Sequence, residues 1–357
     1  MKVFLNGDSS LDSEEQWPAT WGVDDRPSPF QSRAWLRHWL KHRGVTLQPW
    51  FLVTDGGSTI APFGRLRFMG IRLLQLLGTG DSDYTGLIST REPEEAWDSV
   101  VRELAQRRAE WDLLHLHSVP DRDAISRALQ KHLGHNGFER IYEWCSAIRI
   151  DGTWDQFLAT RRKLRQEVRR WTRRLEEQGP VTAEAVPPPV SNGLLDEIVE
   201  LEQASWKWGH GSAAFKPGTQ RDFLFALLKD PTTPVRVWTV RVGGKLAAAG
   251  LVLHDATDWF YYLSAYHENY KHAGSLLLAR LVEGAHAANC RTFSFLRGDH
   301  SYKEDWANIR EPVYEMVCPS TVRGQAAALV WRLRWAAANS HHLRSLRSIV
   351  FRTGDRR

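Results

Sequence analysis

The sequence predicts a mixed α/β fold in two units, and three features lead there. Helix-period and strand-period segments alternate through the first 150 residues and begin again from Tyr142. Gly243-Gly244 separates two extended apolar runs and supplies the positive φ of a two-residue hairpin turn. A strand, a helix and a strand then follow one another over Asp258–Leu296, the pattern of a parallel crossover.

In order, Trp35, Leu36, Trp39 and Leu40 recur at helical spacing behind Ser32, so a helix capped by that serine is expected over Arg33–His42. Extended segments follow at Gln48–Thr54, Thr59–Met69 and Arg72–Leu77. Gly78-Thr79-Gly80-Asp81-Ser82-Asp83-Tyr84 is too rich in Gly and Asp for regular structure and reads as a loop before a strand at Thr85–Ser89. A helix (Glu94–Arg108), a strand (Trp111–His117) and a helix (Asp121–Leu133) complete the first unit. Tyr142, Trp144 and Ile148 then alternate as a strand. One long helix is expected over Trp154–Gln178, its apolar stripe formed by Phe157, Leu164, Val168, Trp171 and Leu175. Helices at Leu194–Ser205 and Arg221–Lys229, the hairpin Val235–Val242 with Lys245–His254, and a strand at Asp258–Ala265 come next. A helix at Ser275–Ala288 and strands at Arg291–Leu296 and Pro312–Cys318 close the second unit.

With 357 residues, 42% hydrophobic and 25% charged, the composition excludes a miniprotein and a disordered chain. Val3–Leu5 ends at once in Asn6-Gly7-Asp8, and no apolar stretch approaches a membrane span, so a soluble cytoplasmic protein without stable membrane insertion is expected. Cys145, Cys290 and Cys318 lack the spacing of a metal site or a disulfide framework. The net charge of +5 conceals an uneven distribution: Arg161–Arg174 carries +7, Thr321–Arg357 another +7, and the remaining chain −9.

Two segments gather groups with chemistry. Lys271-His272-Ala273-Gly274-Ser275 opens a helix, and a glycine there either admits an anion to the free amides or eases the turn into a buried helix. At Arg297-Gly298-Asp299, followed by Tyr302-Lys303, a guanidinium, a carboxylate, a phenol and an ammonium meet at one strand end, where α/β sites tend to form.

Tyr270-Lys271-His272-Ala273-Gly274-Ser275-Leu276-Leu277, followed by Phe295-Leu296-Arg297-Gly298-Asp299 and Tyr302-Lys303, resembles the GNAT acyltransferase superfamily. The resemblance is closer to its CelD-like (cellulose-biosynthesis type) branch, related to the FemABX aminoacyl transferases. Phe157–Arg165 with Gly179-Pro180-Val181, Pro29-Phe30-Gln31-Ser32 with Trp35-Leu36, and Asp83-Tyr84 match the same branch. The donor loop keeps one glycine, Gly274, where acetyl-CoA-dependent members show Arg/Gln-x-x-Gly-x-Gly/Ala, and Ser294 stands where many relatives have Asp.

The resemblance implies tandem GNAT-like domains with a cleft between them. Residues 1–150 would form an acceptor-side domain without a donor site, residues 151–320 the acyltransferase domain, and residues 321–357 a basic helical tail. It further implies an oxyanion-stabilising role for Lys303; Tyr302 would protonate the leaving group or position its neighbour, and Asp83 would bind or deprotonate the acceptor amine or cap a turn. Lys271, His272, Ala273, Gly274, Ser275 and Arg297 would hold the donor, while Tyr84, Trp206, Lys207 and Asp299 would line the acceptor cleft. The leading function is transfer of an acyl group from an acyl-CoA to an amine of a small-molecule or peptidyl acceptor, with no metal. Arg161–Arg174 reads either as a solvated face or as a phosphate-binding surface, and the latter keeps open an aminoacyl-tRNA donor, as in Fem-type enzymes. A non-catalytic binding protein of the same fold is the third class.

Overall fold

Strand-period segments throughout the chain join a single thirteen-stranded sheet in the computed structural model, which describes residues 2–5, 28–135, 137–209 and 213–339. In the first half, β1 (Lys2–Leu5), β2 (Gln48–Thr54), β3 (Thr59–Phe68) and β4 (Ile71–Leu76) run antiparallel. α2 (Pro93–Gln106) then crosses to β6 (Leu113–Val119), which lies parallel to β4. In the second half, β8 (Val181–Val186), β9 (Val235–Val242), β10 (Lys245–His254) and β11 (Asp258–Tyr266) repeat the antiparallel run. α9 (Ala273–Ala287) crosses to β12 (Thr292–Arg297), parallel to β11.

The two halves exchange their last strands. β7 (Phe138–Arg149) crosses over to pair with β12, and β13 (Ile309–Pro319) returns to pair with β6 and β7, giving the central order β6-β13-β7-β12. Each half therefore contributes a strand to the other's side of the sheet. Pro312 is tolerated in β13 because that end pairs with β7 alone; the ladder to β6 begins at Tyr314.

Three cores pack this sheet. α2 and α3 (Arg122–Leu133) bury Trp97, Trp111 and Leu129 against β2, β4 and β6. α4 (Trp154–Ala159), α5 (Arg162–Glu176) and α9 cover the second half around Leu164, Leu276 and Phe293. Between the halves, α1 (Arg33–His42), α6 (Asn192–Gln203) and α8 (Thr219–Lys229) meet around Trp35, Phe223 and Phe260. The remaining elements are the short strand β5 (Ile88–Ser89), α7 (Trp206–Gly209) and α10 (Val322–Asn339).

α1 has the expected bounds because the Ser32 hydroxyl accepts the Trp35 amide at its N-terminus. The long helix expected over Trp154–Gln178 is instead two. The Thr160 hydroxyl donates back to the Phe157 carbonyl, Arg161 leaves the helical region (φ −124°, ψ 67°), and its guanidinium stacks 4.0 Å from the Phe157 ring. The strand expected at Thr85–Ser89 shrinks to β5, since Thr85 binds Ser118 and His117 carbonyls instead of a ladder. β8, an edge strand with mostly exposed residues, has no buried face from which periodicity could reveal it.

Candidate active site

The parallel ladder between β11 and β12 carries only three pairs, Asp258–Thr292, Trp259–Phe293 and Phe260–Ser294. Beyond them the strands separate, and two local events bend β12 away. The Ser294 hydroxyl accepts the Leu296 amide at 3.1 Å, and Leu296 adopts φ +59°, a conformation costly for a branched residue. β12 slips register against β7 at the same place. The result is a wedge between β11 and the end of β12, where backbone groups are free of the strand ladder.

Lys303 closes the end of β12. Its side chain is only 3% exposed, and Nζ donates to the carbonyls of Leu296 (3.0 Å), Arg297 (2.7 Å) and Gly298 (2.9 Å). An ammonium has three N–H bonds, so none is left for an oxyanion in this arrangement. In this arrangement Lys303 caps the end of β12. Arg297 is likewise engaged within the fold: it is paired with Asp83, donates to the Ser118 hydroxyl at 3.0 Å and stacks over the Tyr142 ring. This buried pair ties the loop of the first half to β12. Burial, opposed by the pull of Arg297, raises the Asp83 carboxyl above the usual range. Tyr84 lies beside it, its hydroxyl near Ser294 and the buried Cys145 thiol, which burial pushes up to about 12.

On the other side of the wedge, His272 stands in the left-handed region (φ 78°) at the start of α9, followed by Ala273, Gly274 and Ser275. Gly274 is required by packing: a Cβ there would sit 2.8 Å from Cδ1 of Tyr266. The corner is nonetheless strongly cationic. Trp171 of α5 stacks on the His272 ring, and burial followed by Lys271, Arg170 and Arg174 pushes the imidazole pKa down. The basic helix and the start of α9 thus share one electropositive surface at the open end of the wedge.

The remaining expected residues are spread around this centre. Tyr302 is partly exposed and rests edge-on against Phe295. Lys207 donates to the Ser264 carbonyl of β11 at 2.6 Å, which places it on the wedge, and burial lowers its pKa. Trp206 opens α7, and its side chain lies outside the described residues. Asp299 pairs with Arg310 at 3.0 Å, in a depression of about 260 Å³ that Lys303, His300 and Ser146 also line.

Sequence reading missed a buried polar row beside Arg297. Glu315 on β13 accepts from Arg140 and pairs with His115 at 2.9 Å, while Nδ1 of His117 lies 3.0 Å from the Ser118 hydroxyl. Despite its burial, Glu315 is held down to about 2 by its hydrogen bond to His115 and by Arg140, and His117 is pushed down to about 4 by burial, His115 and Arg297. The signal was present as His115, His117 and Ser118 in the otherwise apolar run Leu113–Val119.

Residues 162–304 match the family model of the acetyltransferase (GNAT) domain, Acetyltransf_6. This part of the second half is similar to a GNAT acetyltransferase domain. The match begins at α5 and ends beside Lys303, so it encloses the wedge, the α9 loop and the basic helix. Solved structures share the overall fold of the chain. FemX superposes with a TM-score of 0.60 at 11% identity, covering 88% of this chain and 97% of that one. L-PGS from Bacillus licheniformis gives 0.53 at 13% identity, with 86% and 97% covered. The C-terminal domain of a putative lysylphosphatidylglycerol synthetase from Agrobacterium fabrum gives 0.53 at 16%, with 81% and 88% covered. No curated protein sequence is significantly similar to this chain. Among the described residues, no cluster of His, Cys, Asp and Glu is arranged to hold a metal, and no helix is long and apolar enough to cross a membrane.

Proposed function

We propose that this chain is a cytoplasmic N-acyltransferase of the CelD-like, Fem-related branch, taking its acyl group from an acyl-CoA. The observation that carries this reading is the β11–β12 wedge opening beside the cationic corner of α5 and α9 inside the GNAT domain. The donor's phosphates lie against Lys271, Arg170, Arg174 and the start of α9, and its thioester reaches into the wedge. Backbone amides freed by the separation of the strands polarise the acyl carbonyl. The acceptor amine attacks the carbonyl carbon, the C–S bond breaks, the amine proton passes to a base, and the thiolate takes up a proton. Asp83, made more basic by burial and oriented by Arg297, serves the amine from the first half, and Tyr302 stands on the donor side as the proton source. Lys303 and Gly274 position the machinery: one fixes the end of β12, the other admits Tyr266. The first half, residues 1–150, presents the acceptor side.

One observation supports a second reading, an aminoacyl-tRNA donor. Arg162, Lys163, Arg165, Arg169 and Arg174 have no carboxylate partner among the described residues, more cations than a CoA requires. Mass spectrometry of ligands that co-purify with the protein, joined to thermal shifts with CoA thioesters, decides between them. A bound CoA species or stabilisation by thioesters supports the first. Absence of both, with amide formation abolished by RNase in a charged-tRNA mixture, replaces it by the second.

A further inference from the structure

An apolar open feature of the described surface lies far along the sheet from the wedge, between the tip of the β3–β4 hairpin and α10. There a groove of about 850 Å³ is lined by Phe68, Met69 and Ile71 on one side and by Val330, Trp331 and Arg334 on the other. At the hairpin tip Met69 is 87% exposed and Phe68 61% exposed, and Met69 is held at φ +49° beside Gly70, an unusual setting for a long side chain. α10 is firmly seated on its inner side. Thr321 donates to Asp112 at 2.8 Å, a Cβ on Gly324 would lie 1.8 Å from the Asp112 carbonyl oxygen, and Trp331 packs 4.5 Å from the His115 ring. Its outer stripe has no cover among the described residues: Val322, Leu329, Val330 and Leu333 are 54–80% exposed. Isolated apolar side chains are ordinary at a surface, but a stripe adjoining a groove and an apolar hairpin tip is a binding face.

We propose that this face docks the protein on the surface of an anionic bilayer. Charge selects this occupant over the others. α10 has no acidic residue, and Arg323, Arg332 and Arg334 are exposed on it without an ion-pair partner among the described residues. A second copy related by a twofold axis would set these arginines against themselves. The sequence after α10 adds Arg344, Arg347, Arg352, Arg356 and Arg357 against Asp355 alone, so it carries no net negative charge to neutralise those arginines. Nucleic acid would satisfy the arginines but leave the leucines, Phe68 and Met69 in water. A bilayer of anionic lipids answers both, with phosphates for the arginines and acyl chains for the apolar stripe and tip, and the mode is interfacial because no helix is apolar enough to cross.

The test is co-sedimentation of the full chain with extruded vesicles of phosphatidylcholine alone or with about 30% phosphatidylglycerol. The expected result is pelleting with the anionic vesicles only, reversed by high salt. The pairs Leu329→Glu with Leu333→Glu, and Arg323→Gln with Arg334→Gln, each weaken partitioning at least about tenfold while retaining the wild-type melting curve. The proposal is overturned by failure to pellet, by equal pelleting with neutral vesicles, or by both variant pairs binding as wild type. It is also overturned if sedimentation velocity finds a dimer that the glutamate pair dissociates and vesicles do not bind.

Discussion

Lys303→Met distinguishes a structural cap from a catalytic ammonium. The substitution keeps the methylene stem and removes all three donors, so the carbonyls of Leu296, Arg297 and Gly298 lose partners now at 3.0, 2.7 and 2.9 Å in a site where the lysine is 3% exposed. A hydrogen bond from a charged donor contributes about 1.5–3 kcal/mol net. Three bonds that share one ammonium do not add in full, and desolvating that ammonium offsets part of the gain, which leaves a loss of about 3–5 kcal/mol. Urea unfolding followed by the fluorescence of the 17 tryptophans reads this directly. With a slope of about 3 kcal/mol per molar, the midpoint falls by about 1 M or more. Activity is lost with it, because the end of β12 carries Arg297 and one edge of the wedge. An unchanged midpoint with kcat reduced about a hundredfold would refute the cap and restore Lys303 as the oxyanion donor.

The Asp83–Arg297 pair behaves as a buried ion pair across the two halves. Asp83→Ala strands a buried guanidinium and costs about 3–5 kcal/mol in urea unfolding, whereas Asp83→Asn with Arg297→Gln together cost less than Asp83→Ala alone; additive losses would contradict the pairing. Stability also depends on pH through His117, whose folded pKa is pushed down to about 4 while the unfolded imidazole titrates near 6.5. Between those values the unfolded chain binds more protons, so stability falls by about 3 kcal/mol as the pH drops from about 6.5 to about 4. His117→Gln flattens that part of the curve, and an unaltered slope counts against the assignment. Glu315, held down to about 2, extends the loss below the usual carboxylate range in the same direction, so Glu315→Gln removes the steepest part of the acid limb.

Elements whose order is local were legible in the sequence. The Ser32 cap, the glycine pair of the hairpin and the apolar stripes of α2 and α9 report on neighbours three or four residues away, and those elements form close to the expected bounds. The exchange of β7 and β13 was not legible, because alternation along a strand records which face is buried and carries nothing about which strand lies beside it. The site divides the same way. Asp83, Arg297 and Lys303 stood out as charges in loop and strand-end settings, and the fold does bring them together. Their uses depend on the positive φ of Leu296 and of Gly298, which turns three successive carbonyls toward one ammonium, a geometry that residue types alone do not encode.

The central claim is that the corner of α5 and α9 holds the phosphates of an acyl-CoA. Calorimetric titration of CoA into the wild-type protein and into Arg170→Glu with Arg174→Glu tests it most directly, since both side chains are exposed and the substitution leaves the wedge intact. The account predicts binding to the wild type that weakens with salt and falls at least about tenfold in the variant. No heat of binding to the wild type, or equal affinity in the two proteins, would contradict it.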